Sequence, residues 1–161
     1  MFDRLLKTAN DPVLTILRLA LGTVFFAHGA QKMLGWFGGP GFPATMDQFT
    51  QMGIPSAVAF LAIAAEFFGG LGLIVGFLSR IAALGIATVM SVAIATVHAP
   101  FGFFMNWTGT QQGEGFEFHI LAIAIAIAVV VNGSGALSLD QLLSRELAVR
   151  RVPRYEQRRA A

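Results

Sequence analysis

Three histidines, two carboxylates, a lysine and a glutamine collect near the ends of hydrophobic runs in this chain. His28, Gln31 and Lys32 close the first run, His98 closes the third, and Glu114, Glu117 and His119 open the fourth. Imidazole, ammonium and amide groups can donate hydrogen bonds to a carbonyl or a small anion, and aromatic residues nearby can wall such a pocket, as a quinone headgroup requires. The same residue types permit two other chemistries. His28, His98 and Glu117 could ligate a divalent metal, although no HExxH-like spacing is present. His28 and His98 could instead be the two axial imidazoles of a haem. Spacing limits the choices: His28 and Lys32 share one helical face and Glu114 and Glu117 another, whereas Glu117 and His119 point roughly 200° apart and do not both face a bundle centre easily.

Two further ionisable residues, Arg18 and Glu66, lie inside apolar runs, where each charge costs about 2.5–3.5 kcal/mol on insertion scales. Arg18 is about six residues into its run, roughly 9 Å at ~1.5 Å per residue, and Glu66 is near the middle of its own. Either the two form a structural ion pair that fixes helix register, or Glu66 handles protons at a quinone or substrate site. The chain has no cysteine, which excludes an internal dithiol, a disulfide framework, a thiolate metal site and an iron-sulfur cluster held by this chain alone.

The elements that must position these groups are membrane helices. Of 161 residues, 55% are hydrophobic and 12% charged, too few charges for a soluble domain of this length and enough chain for about four spans of ~20 residues. The expected helices cover about 13–34, 55–78, 80–98 and 116–132, an all-α bundle of four transmembrane helices within a domain of residues 1–140. The first run resembles a signal peptide but is too long for an h-region, carries Arg18 and His28 and lacks a clear cleavage site. In the fourth run Ile123, Ile125 and Ile127 alternate with alanines, a strand-like pattern, yet a lone strand in lipid would leave its backbone unpaired.

Residues 33–79 and 81–144 contain no Lys or Arg, so both termini are expected in the cytoplasm and the two longer loops outside. Aromatic residues from Trp36 to Phe49 and from Phe101 to Trp107 suit an interfacial cap. Thr45 with Gln48, and Ser138 with Gln141, fit capping boxes that open short interfacial helices, one in the first outer loop and one in the tail. The tail, residues 141–161, is basic and amphipathic; a membrane flank accounts for its arginines more simply than nucleic-acid binding does. Gly22 and Gly29 on the first helix, and Ala65, Gly69, Gly72 and Gly76 on the second, allow close helix approach.

Taken in order, Arg18-Leu-Ala-Leu-Gly22, Phe25-Phe-Ala-His28-Gly29-Ala-Gln31-Lys32, Glu66-Phe-Phe-Gly69-Gly70-Leu-Gly72, Gly113-Glu114-Gly115-Phe-Glu117 and Gly133-Ser-Gly135-Ala-Leu-Ser138-Leu139-Asp140 resemble the DoxX family of bacterial membrane proteins. The resemblance implies a protein of the bacterial inner membrane, similar to the small membrane subunit of thiosulfate:quinone oxidoreductase. Arg18, His28, Lys32, Glu66, Glu114 and Glu117 match the family pattern; His98 and His119 have no assigned counterpart in it. The expected function is therefore a membrane subunit of, or accessory to, an oxidoreductase complex, in contact with lipid and with protein partners or further copies of itself, and with a quinone or small-ligand pocket near the outer face. A purely structural subunit and a small transporter or channel are the alternatives.

Overall fold

The computed structural model describes residues 5–151, with side chains through residue 148. Arg4 and the predicted basic tail beyond residue 151 lie outside the described residues. Those described contain no strand. They form α1 (Pro12–Leu34), α2 (Gly41–Gln51), α3 (Ser56–Val75), α4 (Ser79–Ala93), α5 (Glu117–Asn132) and α6 (Leu139–Arg151), with α4 continuing through a π-helical turn, Ile94–His98, and a 3₁₀ turn, Ala99–Phe101.

Among the described residues three helices are long and apolar enough to cross a membrane: α1, α3 and the stretch Ser79–Phe101. The fourth, α5, has 16 residues, about 24 Å at ~1.5 Å per residue, short of the roughly 30 Å of a typical hydrocarbon core. Their large apolar side chains face outward, among them Leu61, Leu84 and Leu121, so the helices present a surface to lipid. In α5 the alternating pattern resolves as a helix whose Ala122 and Ala126, four apart, are buried while Ile120 and Ile127 are exposed.

Helix ends follow local chemistry. α1 starts on Asp11, whose carboxylate accepts from the Val13 amide at 2.8 Å with Pro12 in the first turn, and stops at Gly35 in the left-handed conformation. α3 ends three residues earlier than expected because Gly76, at φ 71°, terminates it and leaves Gly76 to Leu78 as the turn into α4. The loop helix α2 departs from its expected start. Pro43 already sits in its first turn, where a missing amide costs nothing, and Thr45 lies inside it, buried, its hydroxyl donating to the Gly41 carbonyl at 2.8 Å. The Ser138 cap is formed, since its Oγ accepts from the Gln141 amide at 3.2 Å; the Gln141 side chain reaches Asn10 instead of completing a box.

With lipid outside as apolar as the core inside, close packing rather than water exclusion holds such helices together. α1 and α3 run antiparallel with backbones nearly touching: a methyl carbon at Gly29 would lie 2.4 Å from the Phe67 nitrogen, and one at Gly70 2.3 Å from the Phe26 nitrogen. Gly70 was not among the residues expected at this contact; Gly69 and Ala65 instead face α4, beside Ala82 and Gly85. Leu21, Phe25, Leu73, Ile86, Met90 and Val129 join the four long helices in one core.

At the end of the bundle where the two terminal segments meet, three charged side chains close the helices. The Arg18 guanidinium is 1% exposed; it donates to the carbonyls of Leu73 and of Ile74 (2.8 Å) in the last turn of α3, and to Ser134 (2.8 Å) and Leu137 (3.2 Å). Arg80 does the same for α5, donating to Val130, Val131 and Lys7 carbonyls. Asp140 serves the opposite pole, its two oxygens accepting from the Leu78 and Ser79 amides at 2.7 and 3.0 Å where α4 begins. Cations at helix C-termini and an anion at an N-terminus satisfy orphan backbone groups and complement the helix dipoles.

Candidate functional site

The opposite, loop end contains a cavity of about 940 Å³ bounded by α1, α2, α3, α4 and the start of α5. Its ionisable groups are His28 and Lys32 from α1, Glu66 from α3, His98 from the π turn, Glu114 from the loop and His119 from α5. Apart from Gln48, Thr88 and Thr96 the rest of the wall is apolar, with Phe25, Phe49 and Phe118 around the polar end.

Lys32 and Glu66 form an ion pair across α1 and α3, with the carboxylate 5% exposed and the lysine 28%. The expected pair between Arg18 and Glu66 is not made. Gly29 packs directly on the backbone of Glu66 and Phe67, which fixes the antiparallel register. Arg18 is 11 residues below Gly29, about 16 Å along α1 at ~1.5 Å per residue, beyond the reach of its side chain, whereas Lys32 is a single turn above. The acid therefore takes the nearer cation.

The two histidines not assigned by resemblance meet in space. The His98 and His119 rings lie 4.0 Å apart, centre to centre, at 45°. His98 donates through Nδ1 to the Glu114 carbonyl at 2.7 Å, which sets its tautomer. His119 is 6% exposed and its Nδ1 has no partner in the protein. A buried ring nitrogen without a partner costs about 1–3 kcal/mol, and His119 is also one of the residues that line the cavity. The sequence placed His119 in the polar group without giving it a role. Its signal was present: directed away from Glu117, it takes the inward face once Glu117 takes the loop side.

Glu117 belongs to the loop. Its Oε1 accepts from the Met105 amide and the Trp107 indole, both at 3.0 Å, while Glu114 accepts from the Asn106 amide at 2.7 Å. Both carboxylates thus shape residues 102–116; Glu114 still borders the cavity and Glu117 does not. The candidate metal trio of His28, His98 and Glu117 is accordingly not assembled, and no group of three or more potential ligands of this kind is brought together among the described residues. Gln31 also leaves the site, turning its amide to the Phe37 carbonyl at 3.4 Å. What remains is a hydrogen-bonding end, with an ion pair and three imidazoles, opening into an apolar trough.

The DoxX family profile matches residues 13–99 of this chain. CatD of Bacillus subtilis, provisionally described as an oxidoreductase, is 31% identical over 125 residues, which cover 78% of this chain and 82% of that protein. The inner membrane protein YqjF of Escherichia coli is 28% identical over 141 residues, covering 88% of this chain and 99% of its own. No solved structure matches significantly.

Proposed function

This chain belongs to the DoxX family, and on that premise we propose that it is a small integral membrane component of an oxidoreductase system that holds a quinone headgroup in the cavity at the loop end of the bundle. The observation that carries the reading is the convergence of His28, His98, His119 and the Lys32–Glu66 pair on the wall of one cavity, with His119 buried and its Nδ1 unpartnered. A quinone has two carbonyl acceptors on a flat apolar ring, and the half-buried aromatic side chains of Phe49 and Phe118 offer it surfaces to lie against. Protons taken up on reduction have carriers at hand in the imidazoles and in Glu66. The chain has no cysteine to carry electrons, and in this reading an electron-transferring protein partner supplies them.

The proposal includes the topology. All four long helices span, α5 with local thinning of the bilayer, and both termini lie in the cytoplasm, consistent with the absence of Lys and Arg from residues 33–79 and 81–144. The compartment is the bacterial inner membrane, in keeping with the description of YqjF. The cavity then lies toward the outer leaflet. A second reading, a subunit that organises a complex without chemistry, has in its favour that Arg18, Arg80 and Asp140 are all engaged in closing helix ends. It leaves His119 unexplained.

Solvent extraction of gently purified protein, followed by ultraviolet absorption, is expected to give about one quinone per chain or per oligomer, and much less from His28→Leu. No quinone above that in protein-free micelles, and no binding of added quinone, would overturn the reading.

A further inference from the structure

The cavity does not end at its polar groups. From the imidazoles it continues between α3 and α4, where α3 contributes Ala62 and Ala65 and α4 contributes Leu84, Gly85 and Thr88. The two helices touch at Ala65 and Gly85, where a methyl carbon on the glycine would meet the alanine at 3.6 Å. Alanine, glycine and threonine leave a trough there in place of an interdigitated seam. Leu61, Leu84 and Thr88 are exposed at its rim, on the surface that faces lipid. Along α4 the trough runs from Thr96 to Ile81, about 22 Å at ~1.5 Å per residue.

We propose that this trough is the seat of the hydrocarbon chain of a lipid-borne ligand, whose headgroup lies among His28, His119 and the Lys32–Glu66 pair and enters sideways from the bilayer between α3 and α4. The inference rests on the quinone reading and adds to it the class of quinone, one carrying a long isoprenoid chain, and its route of entry. The two halves support each other. The polar side chains gathered at one end of the cavity mark where a polar group sits, and the trough leads from that point to the lipid surface without crossing the loops. Since lipid tails are as apolar as the trough, the chain gains little affinity by moving into it. The trough matters because a headgroup with a tail cannot reach His119 unless the tail has somewhere to lie.

An obstruction in the trough should therefore discriminate between ligands by their tails. The protein in nanodiscs would be titrated with a long-chain isoprenoid benzoquinone and with the same headgroup lacking a chain. Thr88→Phe and, independently, Ala62→Phe are expected to weaken the long-chain probe about tenfold or more, a ~1.4 kcal/mol steric effect, and leave the chainless probe unchanged. His119→Leu should weaken both. Two variants on different helices guard against one that misfolds, and binding of the chainless probe reports that each site is intact. Equal effects of the obstructions on both probes, or no effect on either, would overturn the lateral seat while the quinone reading stands. If neither probe bound the unmodified protein, the quinone reading itself would fall.

Discussion

Replacing Arg18 by methionine keeps an unbranched side chain of similar length and removes the guanidinium. Four carbonyls lose the guanidinium at once, those of Leu73, Ile74, Ser134 and Leu137. The bond to Ser134 is buried, and an unsatisfied buried acceptor costs about 1–3 kcal/mol; Leu73, also buried, keeps the Gly76 amide at 3.2 Å, and the other two are half-buried and cost less. Removing the cation also takes away a positive charge that acts on the buried Asp140 carboxylate. Relief of the guanidinium's own desolvation offsets part of this, leaving an expected loss of about 3–5 kcal/mol, the range for stripping one member from a buried charged arrangement. Lysine should recover less than half, because a single ammonium cannot reproduce a planar fork that reaches both α3 and the 134–137 turn. Reversible unfolding in mixed micelles titrated with dodecyl sulfate measures the difference. A methionine variant within about 0.5 kcal/mol of the parent, as for an ordinary surface substitution, would refute the capping role, and full rescue by lysine would refute the need for the fork.

The pair at the loop end behaves differently. Lys32→Met leaves Glu66 buried without its cation, at an expected cost of about 3–5 kcal/mol, and adding Glu66→Leu should restore most of it; a double-mutant cycle reads the coupling directly. Gly29→Ala places its methyl 2.4 Å from the Phe67 nitrogen, where backbone cannot yield, so thermal shift should show a loss of about 1–3 kcal/mol. Gly85→Ala meets only the Ala65 side chain at 3.6 Å and should be near neutral, a control for glycine replacement in general.

Much of the fold was legible because membrane helices announce themselves by length and composition. The apolar run of about 13–34 placed α1 to within a residue of its observed ends, Pro12 and Leu34. The register between helices was less accessible. Gly22 and Gly29 pointed to a close contact, but α3 offers glycines at 69, 70, 72 and 76, and only the packed structure selects Gly70. The partner of Glu66 was hidden for a larger reason: Lys32 lies 14 positions from Arg18, about 21 Å at ~1.5 Å per residue, and the depth at which Glu66 meets α1 is set by the Gly29–Phe67 contact, which the sequence does not show. The loop bonds of the two carboxylates were hidden for another reason. Glu114 and Glu117 resemble ligands by type, yet their oxygens accept from the backbone amides of Asn106 and Met105 respectively, and no local pattern in the sequence predicts how residues 102–116 fold back.

The closing of the terminal end has a consequence for how the protein is made. Translation delivers Arg18 early, while its acceptor Ser134 stands 116 positions further along and does not yet exist. Arg80 waits similarly, 50 positions ahead of Val130, and the Leu78 and Ser79 amides wait for Asp140. Until the segment from Gly133 to Asp140 leaves the ribosome, the nascent chain holds unmatched charges and bare helix ends that mark it as unfinished. The short Gly-Ser-Gly-Ala-Leu-Ser-Leu-Asp sequence is thus the last piece of an assembly that begins with the first helix, and a chain truncated just before it should be cleared by quality-control proteases rather than accumulate.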